Sequence, residues 1–258
     1  MKSIDINCDM GESFGAYTIG MDKEVIGYIS SANIACGFHA GDPRVMNETV
    51  KLAKEKGVGV GAHPGYRDLA GFGRRHLDCA PEEVRDDVIY QVGALMGFCA
   101  LHGVKLRHVK LHGSLYNTCV GNAALSKAVA EAIAAVDRRL LWVTLGGAQA
   151  AMTREIAAAA GIRVVFEAFP DRGYTPDGKL APRKLPGAVL TDPQQAAEQA
   201  LRMAGDGRVI ALDGTGIELE VQTLCVHGDN PSALHHVRTI RRTLESEGIR
   251  IVPMGAAS

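Results

Sequence analysis

Alternation constrains this chain more than any other feature of its sequence. Short apolar runs rich in β-branched residues recur along it, separated by longer stretches with helical spacing. The strand candidates are Ser3–Ile6, Ala32–Ala35, Val58–Ala62, His108–Leu111, Leu140–Leu145, Arg163–Glu167, Val209–Leu212 and Thr223–Val226, with a last run at Ile249–Val252. The helix candidates are Arg44–Lys56, Pro81–His102, Ala123–Val136, Ala148–Ala160, Pro193–Ala204 and Pro231–Glu247. Strands alternating with helices imply a parallel sheet with helical crossovers. The predicted fold class is therefore α/β, a closed or nearly closed (β/α) barrel of about seven parallel strands, with a doubly wound open sheet as the alternative. A chain of 258 residues suits one large domain covering residues 1–258, and at that length the core needs no disulfide or metal staple.

The helix assignments have local causes. Val84, Val88, Val92, Leu95 and Cys99 recur at three- and four-residue steps, as do Leu234, Val237, Ile240 and Leu244, and each set makes one apolar stripe. Asp42-Pro43, Asp192-Pro193 and Asn230-Pro231 each read as a helix start. The Asx side chain accepts from a free first-turn amide, and proline at the first helical position has no amide to leave unpaired. Gly57, Gly103, Gly161 and Gly248 follow helix ends, where a left-handed residue is needed. One polar segment, Ala168–Thr191, breaks the rhythm with four prolines, and a loop that long is expected to serve the site or cover it.

Charge and composition narrow the partners. A net charge of −1 and a pI near 6.8 leave no basic excess for phosphate backbones, so no nucleic-acid partner is expected. The N-terminal residues lack the apolar core of a signal peptide, and no apolar stretch is long enough to span a bilayer, so no membrane association and a cytoplasmic location are expected. Six scattered cysteines form no CxxC pair, which fits reduced thiols. Buried thiols behave as small hydrophobes, so a cysteine nucleophile is not expected.

In a β/α barrel the reactive groups follow the C-terminal ends of the strands. Those positions hold Asn7, Asp9 and Glu12, then His39 and Asp42, then His63, then Lys110, His112 and Asn117. Glu167, Asp171 and Arg172 come next, then Asp213, then His227, Asp229 and Asn230. Asp9, His63 and His112, with His39 as a fourth candidate, form a donor set suited to a divalent metal that activates water. A metal-free acid–base set is the alternative, and Asp42 has a plain reading as a helix cap. Gly146-Gly147 and the glycines after Asp213 offer backbone amides to a phosphate, but no GxxxxGK[ST] loop is present.

Six ordered blocks carry a resemblance. DINCDMGES (5–13), ANIACGFHAGDP (32–43), GAHPGYRD (61–68), VKLHGSLYN (109–117), EAFPDRGY (167–174) and LCVHGDNPSA (224–233) together resemble the LamB/YcsF family. The family pattern usually has Pro and Ala where this chain has Leu111 and Ser114, while Lys110, His112, Tyr116 and Asn117 match. The resemblance implies a distorted barrel akin to carbohydrate deacetylases. It also implies membership of an ATP-dependent 5-oxoprolinase, acting with subunits B and C to open 5-oxo-L-proline (pyroglutamate) to L-glutamate as ATP, the co-substrate, is hydrolysed. Opening such a lactam needs a general base, a group for developing negative charge, and cations for carboxylate or phosphate. In that scheme Asp9, Glu12, His39, Lys110 and Glu167 are the catalytic candidates. Asn7, Asn117, Asp171, Arg172, Arg183, His227, Asp229 and Asn230 are the candidates for binding the small-molecule substrate, and Asp9, His63 and His112 for a divalent metal. Two other readings share these residues: a stand-alone metal-dependent deacetylase or amidohydrolase, and a non-catalytic subunit that holds pyroglutamate for its partners.

Overall fold

The structure, a computed structural model, describes residues 2–227 and 231–255. In chain order the elements are β1 (Ser3–Met10), α1 (Asp22–Val25), a 3-10 turn (Ile26–Tyr28), β2 (Ser31–Ala35), α2 (Pro43–Lys56), β3 (Gly59–His63), α3 (Pro81–His102), β4 (Leu106–Lys110), α4 (Gly113–Cys119) and α5 (Ala123–Val136). There follow β5 (Leu141–Leu145), α6 (Ala150–Ala160), β6 (Arg163–Ala168), α7 (Pro193–Asp206), β7 (Arg208–Ile210), β8 (Gly216–Glu218), β9 (Thr223–Val226), α8 (Pro231–Ser246) and β10 (Arg250–Ile251). Strands β1, β2, β3, β4, β5, β6 and β9 pair in that order, all parallel, and β9 pairs back onto β1 to close the ring. The expected barrel of seven parallel strands is what forms, with β10 added to the start of β1.

Helix ends follow the local chemistry. Asp42 accepts from the amide of Val45 and Asp192 from that of Gln194, each just ahead of its proline. The Asn230-Pro231 cap begins outside the described residues. One strand assignment needs correction. The run Val209–Leu212 contributes β7, but β7 pairs antiparallel with β8 in a separate hairpin. Val209 is buried while Ile210 and Leu212 are exposed, whereas a strand of a parallel barrel is covered on both faces. Asp213 therefore sits in the hairpin turn, accepting from the amide of Thr215, and not beside the barrel strands. Gly146 and Gly147 are close-packing positions: a Cβ on Gly146 would lie 2.1 Å from the carbonyl oxygen of Glu220. Among the described residues no single helix is long and apolar enough to cross a membrane, and the one helix pair that qualifies together is bent by 115°.

The barrel interior is polar along one seam. Asn33 donates to Asn7 Oδ1 (2.7 Å) and Asp9 Oδ1 (2.8 Å), and the Nε2 of His108 donates to Asn33 Oδ1 (2.7 Å). Gly61 makes room for that imidazole, since a Cβ there would lie 2.0 Å from His108 Nε2. Below this seam Asp5 accepts from the hydroxyls of Ser30, Ser31 and Thr223. Burial outweighs those bonds and pushes its carboxyl up from 3.8 to about 6. A folded-state pKa above the unfolded value means the native state binds the proton more tightly. The resulting stability is full below the unfolded pKa and is lost as pH rises through about 6. The gap corresponds to at most ~3 kcal/mol. Urea unfolding of the wild type and Asp5→Asn at pH 4 and pH 7 is expected to show the wild type losing stability relative to the variant as pH rises. A pH-independent difference would refute it.

Candidate active site

The C-terminal ends of the barrel strands open into a cleft of about 630 Å³. β1 ends on Asp9 and Met10 and leads to Glu12, the β2–α2 loop brings His39, and β3 ends on His63. β4 ends on Lys110, and His112 is the N-cap residue of α4. Side chains distant in sequence meet here because each parallel strand delivers its last residues to the same end of the barrel.

The imidazoles are oriented by backbone carbonyls, which only accept. Nδ1–H of His63 donates to the carbonyl of Lys110 (2.8 Å), and Nε2–H of His112 donates to that of Phe72 (2.9 Å). In the neutral rings the two remaining nitrogens are lone pairs, and they face each other at 3.0 Å. Glu12 Oε1 lies 3.6 Å from His112 Nδ1 and 3.6 Å from His39 Nε2, and Asp9 Oδ2 lies 3.2 Å from His63 Nε2. His39 stacks on His112 at 3.7 Å between ring centroids, fully buried, with neither ring nitrogen hydrogen-bonded. Burial, and then the neighbouring imidazoles, keep His39 and His112 neutral, the latter down to about 3. Acceptors pointing at one another around a common centre repel unless a cation or proton lies between them. One donor atom each from Glu12, His39, His63 and His112 fall within 4.8 Å of one another, so the donor set fits a divalent ion. Of the metal-ligand candidates read from sequence, His39, His63 and His112 belong to this set, Glu12 joins them, and Asp9 Oδ2 adjoins it through His63.

Lys110 rises beneath the cleft, 3.0 Å from Asp9 Oδ1 and 3.2 Å from Glu167 Oε2. Burial disfavours its charge, but Asp9, Cys225 and Glu167 together hold its pKa well above the usual lysine range. Burial likewise opposes ionisation of Asp9, and the neighbouring His63 imidazole and Lys110 ammonium reverse this and hold it well below the carboxylate range. Burial, followed by the Asp9 charge, pushes Glu12 up. Just after β9, His227 Nδ1 is hydrogen-bonded to Asp171 Oδ2. The Asp171 carboxylate raises the His227 pKa despite burial, so the pair favours an imidazolium. Burial raises the thiol pKa values of Cys8, Cys36, Cys119 and Cys225, against a thiolate nucleophile.

The remaining residues singled out from sequence divide by depth. Asn117, Arg172, Arg183 and His227 line the cleft. Arg172 is nonetheless buried and already donates to the carbonyls of Ala181 and Ala188, bracing the 168–191 segment. Asn7 and Glu167 are 0% exposed and stay out of the cleft: Asn7 donates to Thr223 Oγ1, and Glu167 lies under Lys110. Asp42 is a helix cap. Asp229 and Asn230 lie outside the described residues. Sequence reading missed Arg74, Phe72 and Asp22, which also line the cleft. The only local signal was an aromatic residue between glycines and arginines at 71–75.

The LamB/YcsF family model matches residues 4–258. A protein of Pyrococcus furiosus, named as the A subunit of 5-oxoprolinase, is 53% identical over 252 residues, covering 98% of each chain. The crystal structure of the lactam utilization protein from Thermus thermophilus is 46% identical, with a TM-score of 0.92 over 98% of this chain and 100% of that one. At the level of fold alone, the catalytic domain of a peptidoglycan N-acetylglucosamine deacetylase from Eubacterium rectale superposes with a TM-score of 0.51 at 12% identity, over 100% of this chain and 90% of that one.

Proposed function

This chain belongs to the LamB/YcsF family, and from that premise we propose that it is the A-type subunit of a 5-oxoprolinase, in which ring opening of 5-oxo-L-proline to L-glutamate is coupled to ATP hydrolysis. The observation that carries the reading is 53% identity, across 98% of both chains, to a protein of that name. The chemistry rests on this chain's own residues. Water adds to the lactam carbonyl carbon, the ring C–N bond breaks, and the nitrogen gains a proton. Asp9, ionised and at the cleft beside the four-donor set, accepts the proton of the attacking water. Lys110 stabilises negative charge developing on the carbonyl oxygen. The His227 imidazolium, held by Asp171, delivers a proton to the leaving nitrogen. Glu12, His39, His63 and His112 would hold a divalent cation, which when bound would supply Lewis acidity to the reacting centre. ATP acts as co-substrate of the complex, with subunits B and C as partners.

The test is 5-oxo-L-proline-dependent ADP release by this chain alone and with its B and C partners. Release is expected only from the complex, and an inactive complex would overturn the reading. The four-donor cluster also favours a second reading, a metal-dependent amidohydrolase acting alone. Amide hydrolysis by the isolated chain, abolished by a chelator and restored by a divalent ion, would favour it.

A further inference from the structure

The proposed reaction leaves the charge on the substrate without a partner. A 5-oxo acid carries a carboxylate on the same five-membered ring as the reacting carbonyl, so its cation must sit close to the imidazole cluster. Lys110 is assigned to the reacting carbonyl oxygen and already pairs with Asp9 and Glu167, and Arg172 is held by two backbone carbonyls. Arg183 also lines the cleft, where its charge bears on two other cationic groups, Arg172 and His227. Arg74 lines the cleft, is exposed, makes no ion pair among the described residues, and its charge bears on Glu12 of the donor cluster. Its guanidinium carbon lies 5.2 Å from the centre of the Phe72 ring, whose centroid is 5.2 Å from that of His112.

This seat is rigid. Phe72 is the one non-glycine residue with positive φ among those described, at 55°, and its carbonyl takes the His112 Nε2–H. Asp68 ties the loop by accepting from the amides of Gly71 and Arg75 and from the Arg75 guanidinium. The loop that fixes the His112 ring thus also presents Arg74, one aromatic ring away from it. A guanidinium stacked on an aromatic face keeps its planar edge free for bidentate pairing with a carboxylate.

We propose that Arg74 binds the carboxylate of the substrate and thereby selects 5-oxo acids over neutral lactams. The inference rests on the 5-oxoprolinase reading. Its test uses the assembled complex with Arg74→Ala and Arg74→Lys, measuring KM for 5-oxo-L-proline and the inhibition constant of 2-pyrrolidinone, the same ring without the carboxylate. Arg74→Ala is expected to raise KM by about 10- to 100-fold while the 2-pyrrolidinone constant stays put, and Arg74→Lys to recover part of the loss. An active wild type whose KM is unmoved by Arg74→Ala overturns this inference alone, as does equal weakening of both ligands. A wild-type complex that does not turn over 5-oxo-L-proline overturns the functional reading and this inference together.

Discussion

His63→Ala is expected to lower 5-oxo-L-proline turnover by the complex by at least about 10³-fold, in the range for removing a group central to acid–base or metal chemistry. His63 is the hinge of the cluster. Its Nε2 faces Asp9 Oδ2 at 3.2 Å and His112 Nδ1 at 3.0 Å, while its other nitrogen is fixed on the Lys110 carbonyl. Alanine would leave His112, His39 and Glu12 grouped around a void and remove the imidazole beside Asp9 Oδ2. A second readout does not depend on turnover: zinc or manganese titrated into the purified chain is expected to bind at least about 10-fold more weakly in the variant. The side chain is 1% exposed, so folding is checked by urea unfolding. Near-wild-type turnover from a folded His63→Ala complex would remove the cluster from the mechanism. Lost turnover with unchanged metal binding would leave His63 catalytic but outside any ion site.

Why this cluster was legible and other parts were not follows from what is local. Helix starts at Asp42 and Asp192 and stops at Gly57, Gly103 and Gly161 are set by neighbouring backbone groups, so sequence reveals them. Alternation pointed to a barrel but left an open sheet as the alternative, because closure depends on β9 pairing with β1. Val209–Leu212 misled because a β-branched run promises a strand without naming its partner, and the partner here is the β8 edge. The same limit applies inside the site. Asn7 and Asp9 share a strand and one face, two residues apart, and only depth separates them: Asn7 is 0% exposed, whereas the Asp9 side chain is 26% exposed. Glu167 ends its strand as a catalytic residue would, yet Lys110 takes the cleft position above it. Arg74 belongs to an irregular loop, and its role depends on where the Phe72 ring lies.

Lys110→Met is expected to produce the largest loss of stability, about 3–5 kcal/mol in urea unfolding at neutral pH. The lysine is 3% exposed and is the shared counter-ion of Asp9 and of the fully buried Glu167. Methionine keeps most of the apolar stem but leaves carboxylates in a low-dielectric interior without their cation, where each charge costs several kcal/mol unless it takes up a proton. The two roles of Lys110 separate in a double variant. Adding Glu167→Gln to Lys110→Met removes the deeper of the uncompensated charges, so stability is expected to return in large part. Turnover is not, because no cation then faces the substrate oxygen from beneath the cleft. Lys110→Met as stable as the wild type would mean that the ion pairs contribute little to the fold. A double variant that regains both stability and turnover would show that the lysine only supports the barrel, and the charge on the reacting oxygen would then need another partner.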